Sequence, residues 1–127
     1  MANNEIKILL IEDDSFLLSM YAAKFELEEF KTIVANDGEK GLELAIKELP
    51  DVILLDIMLP KMDGFEVLRK IKNNEKLRDS IVILLTNLSQ KDDIDKGLSM
   101  NAEDYLIKAH FTPSEVVDKV KRKLESR

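Results

Sequence analysis

Carboxylates recur in this chain where apolar runs stop. Glu12-Asp13-Asp14 follow the run 6–11, and Asp56 follows Val52-Ile53-Leu54-Leu55. Further along, Thr86 closes the run 81–85, and Lys108 follows Tyr105-Leu106-Ile107. Three adjacent acids repel one another, since two charges ~4 Å apart at an effective dielectric of ~20 cost ~4 kcal/mol. A bound cation relieves that cost. Two or three carboxylates, a hydroxyl and an ammonium at one point make a site for a divalent cation and a phosphate, with hard oxygen donors of the kind that suit Mg²⁺. Part of the acidic cluster has a plainer use, because Asp14 or Ser15 can cap a following helix; capping, however, takes one side chain. Asp56 alone also reads as a solvated strand-end residue; a shared rim for all four places would make it part of a site.

The elements that position these residues follow from hydrophobic periodicity. Residues 6–11, Lys31–Ala35, 52–56, 81–85 and 105–107 read as five short strands. Continuous apolar runs of this kind suit strands buried on both faces of a parallel sheet. The helix after Asp14 carries Leu18, Tyr21, Ala22 and Phe25 as one stripe. A second, entered at Asn36-Asp37-Gly38 and closed by Pro50, puts Leu42, Ala45, Ile46 and Leu49 on one face. A third follows Asp63-Gly64 with Val67, Leu68 and Ile71, and runs out in the polar loop around Asn73-Asn74. The fourth, residues 90–100, is strongly charged, with Ile94 and Leu98 as its apolar positions. The fifth enters through Thr112-Pro113, a cap followed by Pro at the first helical position, and buries Val117, Val120 and Leu124. Strands alternating with helices give an α/β fold with a mainly parallel sheet. Right-handed crossovers and a reversal of winding bring the strand C-termini to one rim, where open sheets bind ligands. All four polar punctuations then fall on that rim.

Composition narrows the function classes. The 127 residues suffice for one domain, read as spanning 1–127. A net charge of −6 speaks against a nucleic-acid-binding surface and favours cations or basic partners. Without cysteine there is no disulfide framework, thiolate metal site or thiol nucleophile. The polar start Met1-Ala2-Asn3-Asn4-Glu5 has no signal-peptide pattern, and no run reaches the ~18 apolar residues of a membrane span. The expectation is a cytoplasmic protein that contacts neither membrane nor nucleic acid directly.

Taken in order, Ile11-Glu12-Asp13-Asp14, then Leu55-Asp56-Ile57-Met58-Leu59-Pro60 with Met62-Asp63-Gly64, then Leu85-Thr86, then Tyr105-Leu106-Ile107-Lys108 resemble the receiver domains of two-component response regulators, across the whole chain. The resemblance implies a flavodoxin-like (βα)5 doubly wound sheet of order 2-1-3-4-5. It implies that Asp56 accepts a phosphoryl group from the phosphohistidine of a sensor histidine kinase or phosphotransfer protein. Mg²⁺ or Mn²⁺ would then be held by Asp13, by Glu12 mainly through water, by Asp56 and by the Met58 backbone carbonyl. Lys108 would supply a point charge, while Thr86 and Tyr105 would switch the surface of helix 4, strand 5 and helix 5 toward a downstream protein or a second copy. Such a protein is a signalling phosphoacceptor rather than an enzyme, catalysing only its own phosphorylation and dephosphorylation.

Three positions depart from the family pattern. Asn87 stands where a small residue usually follows the threonine, with consequences for access to Asp56. Asn101 replaces the usual Gly before strand five, tolerable because Asn accepts left-handed backbone. Ala109 replaces the Pro after Lys108, and a cis bond before Ala costs ~2.5–4 kcal/mol; the expected bond is trans, with Lys108 still reaching the acids. His110, the one histidine, reads as an ordinary loop residue. A haloacid-dehalogenase-like Mg²⁺ phosphatase needs a second Asp where Met58 stands, and a flavodoxin-like nucleotide binder needs a Gly- or Ser/Thr-rich loop where the first acids stand. A receiver fold used as an interaction module without phosphorylation is the nearer alternative.

Overall fold

A computed structural model describes residues 5–87 and 91–126. Strands β1 (Lys7–Ile11), β2 (Lys31–Ala35), β3 (Val52–Asp56), β4 (Ile81–Thr86) and β5 (Asp104–Ile107) alternate with helices α1 (Ser15–Leu27), α2 (Gly38–Glu48), α3 (Gly64–Lys72), α4 (Lys91–Ser99) and α5 (Pro113–Glu125). The strands form one sheet in the order β2-β1-β3-β4-β5, every neighbouring pair parallel. The chain runs outward from β1 to β2, then returns past β1 to β3 and on to β5. The winding therefore reverses between β1 and β3. This is the flavodoxin-like architecture expected from the sequence.

Strand periodicity splits the core into two layers. Ile8, Leu10, Val52, Leu54, Ile83 and Leu85 face Tyr21 and Phe25 of α1 and Val116, Val117 and Val120 of α5. Their neighbours Leu9, Ile11, Ile53, Leu55, Val82 and Leu84 face Ala45 of α2 and Val67, Leu68 and Ile71 of α3. Because both faces are covered, β3 and β4 are buried along their whole length. A charge can then emerge only at their ends.

The starts of α1, α2, α3 and α5 are each fixed by a side chain. Asp14 caps α1, its Oδ1 accepting from Phe16 N and Leu17 N at 3.0 and 3.1 Å. Asp37 caps α2 and Asp63 caps α3, accepting from Lys40 N at 2.7 Å and Glu66 N at 3.1 Å. Thr112 and Glu115 form a reciprocal capping box with Pro113 in the first turn of α5. Asn101 takes the left-handed conformation expected of it, φ 75°.

Several expectations need correction. Ile46 and Leu49 are 52% and 46% exposed, so of the expected α2 face Ala45 is buried and Leu42 partly so, with Gly38 and Gly41 buried beside them. Leu49 lies past the helix at φ 50°, where Pro50 excludes right-handed helix for the residue before it. In α4, Leu98 is 40% exposed, and Gly97 takes its inward place because a Cβ there would lie 2.0 Å from Leu84 Cδ1. The expected start of that helix at Gln90 lies outside the described residues; its end is Ser99 rather than Met100. Strand β1 begins one residue later than expected, β4 extends to Thr86, and β5 begins one residue earlier. Leu124 is only partly buried.

Candidate functional site

Register builds the site. Ile11 pairs with Leu55, which puts Glu12 level with Asp56 across the gap where the winding reverses. Asp56 pairs with Leu85, and Thr86 with Ile107, so Thr86 and Lys108 close the far side. The structure thus brings Glu12, Asp13, Asp56, Thr86 and Lys108 to one rim.

Lys108 joins the two buried acids. Its Nζ lies 2.9 Å from Asp56 Oδ2 and 2.7 Å from Glu12 Oε1. Glu12 Oε2 accepts from Asp14 N at 3.0 Å, while Oε1, although beside the ammonium, has no aligned hydrogen-bond donor. Asp56 Oδ1 accepts from Met58 N at 3.1 Å. Asp13 is exposed at the mouth, and carboxylate oxygens of Glu12, Asp13 and Asp56 all lie within 4.8 Å of one another. Lys108 reaches the acids from a single 3-10 turn, Lys108–His110, with a trans Lys108–Ala109 bond, as expected. His110 is exposed on that turn and Phe111 packs against the core.

Burial, and then the neighbouring Glu12, push the Asp56 carboxyl up to about 7 against the pull of Lys108. Burial alone would lower the Lys108 ammonium, but Glu12 and Asp56 outweigh it and hold it above its ordinary value. Tyr21, read from the sequence only as a core residue of α1, is also near this charge. Its burial first, and then Glu12, raise its hydroxyl's pKa. Helix periodicity identifies Tyr21 as buried but carries no signal of what lies beside it.

Thr86 and Tyr105 lie on the neighbouring strands β4 and β5. The Thr86 hydroxyl is buried and donates to the Asn87 carbonyl at 3.2 Å. Tyr105, opposite Leu84, is partly buried against the layer that includes α2 and α3. Met58 is 65% exposed at the rim. Gly64 returns the chain closely enough that a Cβ there would stand 2.4 Å from the Asp56 carbonyl oxygen. Glycine at 64 is therefore a requirement of space, and Asp63 before it caps the helix that follows.

A family model for the response regulator receiver domain matches residues 8–121. The chain is 37% identical over 115 residues to the DNA-binding dual master transcriptional regulator RpaA of Synechocystis sp., covering 91% of this chain and 47% of that protein. It is 39% identical over 102 residues to response regulator PleD of Caulobacter vibrioides, covering 80% of this chain and 22% of PleD. The chain thus spans about half or less of these curated relatives. Among solved structures, response regulator DrrB of Thermotoga maritima matches with 34% identity and a TM-score of 0.82, over 95% of this chain and 53% of that one.

Proposed function

The chain belongs to the response regulator receiver family, and on that premise we propose that it is a phosphoacceptor, taking a phosphoryl group onto Asp56 from the phosphohistidine of a sensor histidine kinase or phosphotransfer protein. The observation that carries this reading is the convergence of Glu12 and Asp13 on a buried strand-end carboxylate that Lys108 contacts at 2.9 Å. An Asp56 oxygen attacks phosphorus, the bond from phosphorus to the histidine nitrogen breaks, and an acyl phosphate forms. In transfers of this kind catalysis is mainly positioning and charge stabilisation. The Met58 N–H and Lys108 fix the two Asp56 oxygens, and Lys108 also offers positive charge to the phosphoryl group.

The donor set fits a divalent cation of the Mg²⁺ or Mn²⁺ kind. Three carboxylates against one ammonium leave two negative charges, and the donors are hard oxygens, one of them a buried Glu12 oxygen without an aligned donor. Glu12, Asp13, Asp56 and the Met58 carbonyl would hold the ion. When bound it would neutralise phosphoryl oxygens and hold the acids together.

Thr86 is the first switch residue. Its hydroxyl now serves the Asn87 carbonyl, and re-aiming it to a phosphoryl oxygen gives the phosphorylated state a contact that the free state lacks. Tyr105 follows on β5, altering the α4, β5 and α5 surface that a downstream protein or second copy reads. The protein acts in the cytoplasm as a signalling domain, with no catalysis beyond its own phosphoryl chemistry. No described helix is long and apolar enough to cross a membrane.

The test is acetyl phosphate with Mg²⁺ followed by intact-mass measurement. One added phosphoryl group in wild type and none in Asp56→Asn supports the reading. Equal labelling of the variant sinks the assignment of Asp56, and an unlabelled wild type favours an interaction module that works without phosphorylation.

A further inference from the structure

The loop from β3 to α3, residues 57–63, rests on a part of the chain that the site's chemistry does not use. At its far end Gly64 N donates to the Ile57 carbonyl at 2.9 Å, closing the loop on itself. At its apex it lies against the first turn of α2. A Cβ on Gly38 would stand 1.7 Å from the Met62 carbonyl oxygen and 2.7 Å from its carbon, both backbone atoms that cannot swing aside. Gly38 N also donates to the Pro60 carbonyl at 3.3 Å, and Lys61 Nζ lies 3.7 Å from Asp37 Oδ2. Lys61 itself takes the left-handed φ of 67°, and Met62 N turns back to the Pro60 carbonyl at 2.7 Å, so the apex is a tight bend.

We propose that Gly38 is a positioning residue for the acidic site: the first turn of α2 seats the apex of the β3–α3 loop and thereby sets where Met58 meets Asp56. One residue, Leu59, separates Met58 from the seated Pro60, and Met58 N holds Asp56 Oδ1 at 3.1 Å. A side chain at 38 must lift the apex, and so short a connection passes the shift to Met58. Groups that orient a metal's ligands typically cost ~10–100-fold in affinity or activity when altered. The consequence for metal binding rests on the phosphoacceptor reading; the seating of Met58 does not. If Gly38 served only local helix packing, its replacement would disturb residues 60–62 and leave Met58 where it is.

The experiment compares Gly38→Ala with Val120→Ala, a core truncation in α5 on the opposite face of the sheet from α2. Two quantities are read: the Met58 amide resonance of the metal-free protein, and the Mn²⁺ dissociation constant by electron paramagnetic resonance. Gly38→Ala should move the Met58 resonance and weaken Mn²⁺ binding by about tenfold, while Val120→Ala lowers the melting temperature and leaves both readings as in wild type. A folded Gly38→Ala protein with an unmoved Met58 resonance, or with Mn²⁺ bound as tightly as by wild type, overturns the proposal. Should that variant fail to fold, reciprocity of linkage supplies the test in wild type: Mg²⁺ must slow hydrogen exchange at Gly38 N–H, and no slowing overturns it. A wild type that binds no Mn²⁺ refutes the phosphoacceptor reading instead, and the Met58 resonance alone then decides the seat.

Discussion

Asp56 and Glu12 share one ammonium, and both carboxyls are almost wholly buried. The Asp56 pKa, raised to about 7 from an ordinary 3.8, has a definite sign as a stability effect. Between these values the folded protein keeps a proton that the unfolded chain has lost. Stability in the absence of metal is therefore greatest below the lower value and falls as pH rises through the upper one. Asp56→Asn removes the charge and keeps an oxygen for the Met58 N–H. In EDTA it should gain stability over wild type at about pH 8 and little at about pH 5, as read from urea midpoints. An equal difference at both would mean that buried charge is not the cause. Lys108→Met tests the opposite change, keeping an apolar stem and removing the cation. At about pH 8 it should cost about 3 kcal/mol, the low end for breaking a buried pair, since Lys108 retains some contact with water. Mg²⁺ should return part of that loss. A variant as stable as wild type in EDTA would mean that water, rather than Lys108, balances the acids.

The strands and the helices differ in how much of their role the sequence carries. A strand buried on both faces admits a polar group only at its end, so Asp56 and Thr86 are conspicuous after β3 and β4, and Lys108, after the partly buried β5, falls with them once the strands are parallel. Periodicity likewise finds the buried stripe of α1 at Tyr21 and Phe25. It fails for Ile46, Leu49 and Leu98, because spacing locates apolar side chains without saying where the helix stops or which side meets the sheet. Gly38, Gly64 and Gly97 are less legible still, since each owes its place to an approach by residues distant in the chain or by a returning loop. Leu49 turns this into a measurement. Left-handed backbone costs a non-glycine residue ~1–2 kcal/mol, and the extra freedom of an unfolded glycine offsets ~0.4–1 kcal/mol of any relief. With its side chain 46% exposed, Leu49 has limited packing to lose. Leu49→Gly should therefore raise stability by about 0.5 kcal/mol, from the difference between those two costs. A clear drop in the urea midpoint would show that the packing of its half-buried side chain matters more than its backbone.

At the scale of the whole molecule, the site joins parts of the chain that the fold otherwise keeps separate. Glu12 and Asp13 leave β1 toward α1 on one face of the sheet, whereas Asp56 leaves β3 toward α3 on the other, and Lys108 arrives from β5. A cation held there ties both layers to the sheet and relieves the crowded acids at the same time. Because the unfolded chain has no such cluster, binding adds directly to folding stability. At a Mg²⁺ concentration about 100 times its dissociation constant the gain is ~2.7 kcal/mol. For a domain between the smaller and larger size classes, that corresponds to a rise in melting temperature of roughly 10 °C. EDTA should reverse the rise, and Asp13→Asn should shrink it by weakening the site while sparing the Asp14 cap of α1. Val120→Ala should lower both the metal-free and metal-loaded melts and leave the increment between them, since its side chain packs in the apolar layer of α1 and α5, which holds no proposed ligand. An increment that survived Asp13→Asn in full would place the stabilising ion elsewhere on an acidic surface. No increment in wild type would mean that Lys108 alone balances the two buried carboxylates, leaving the ion no part in the resting fold.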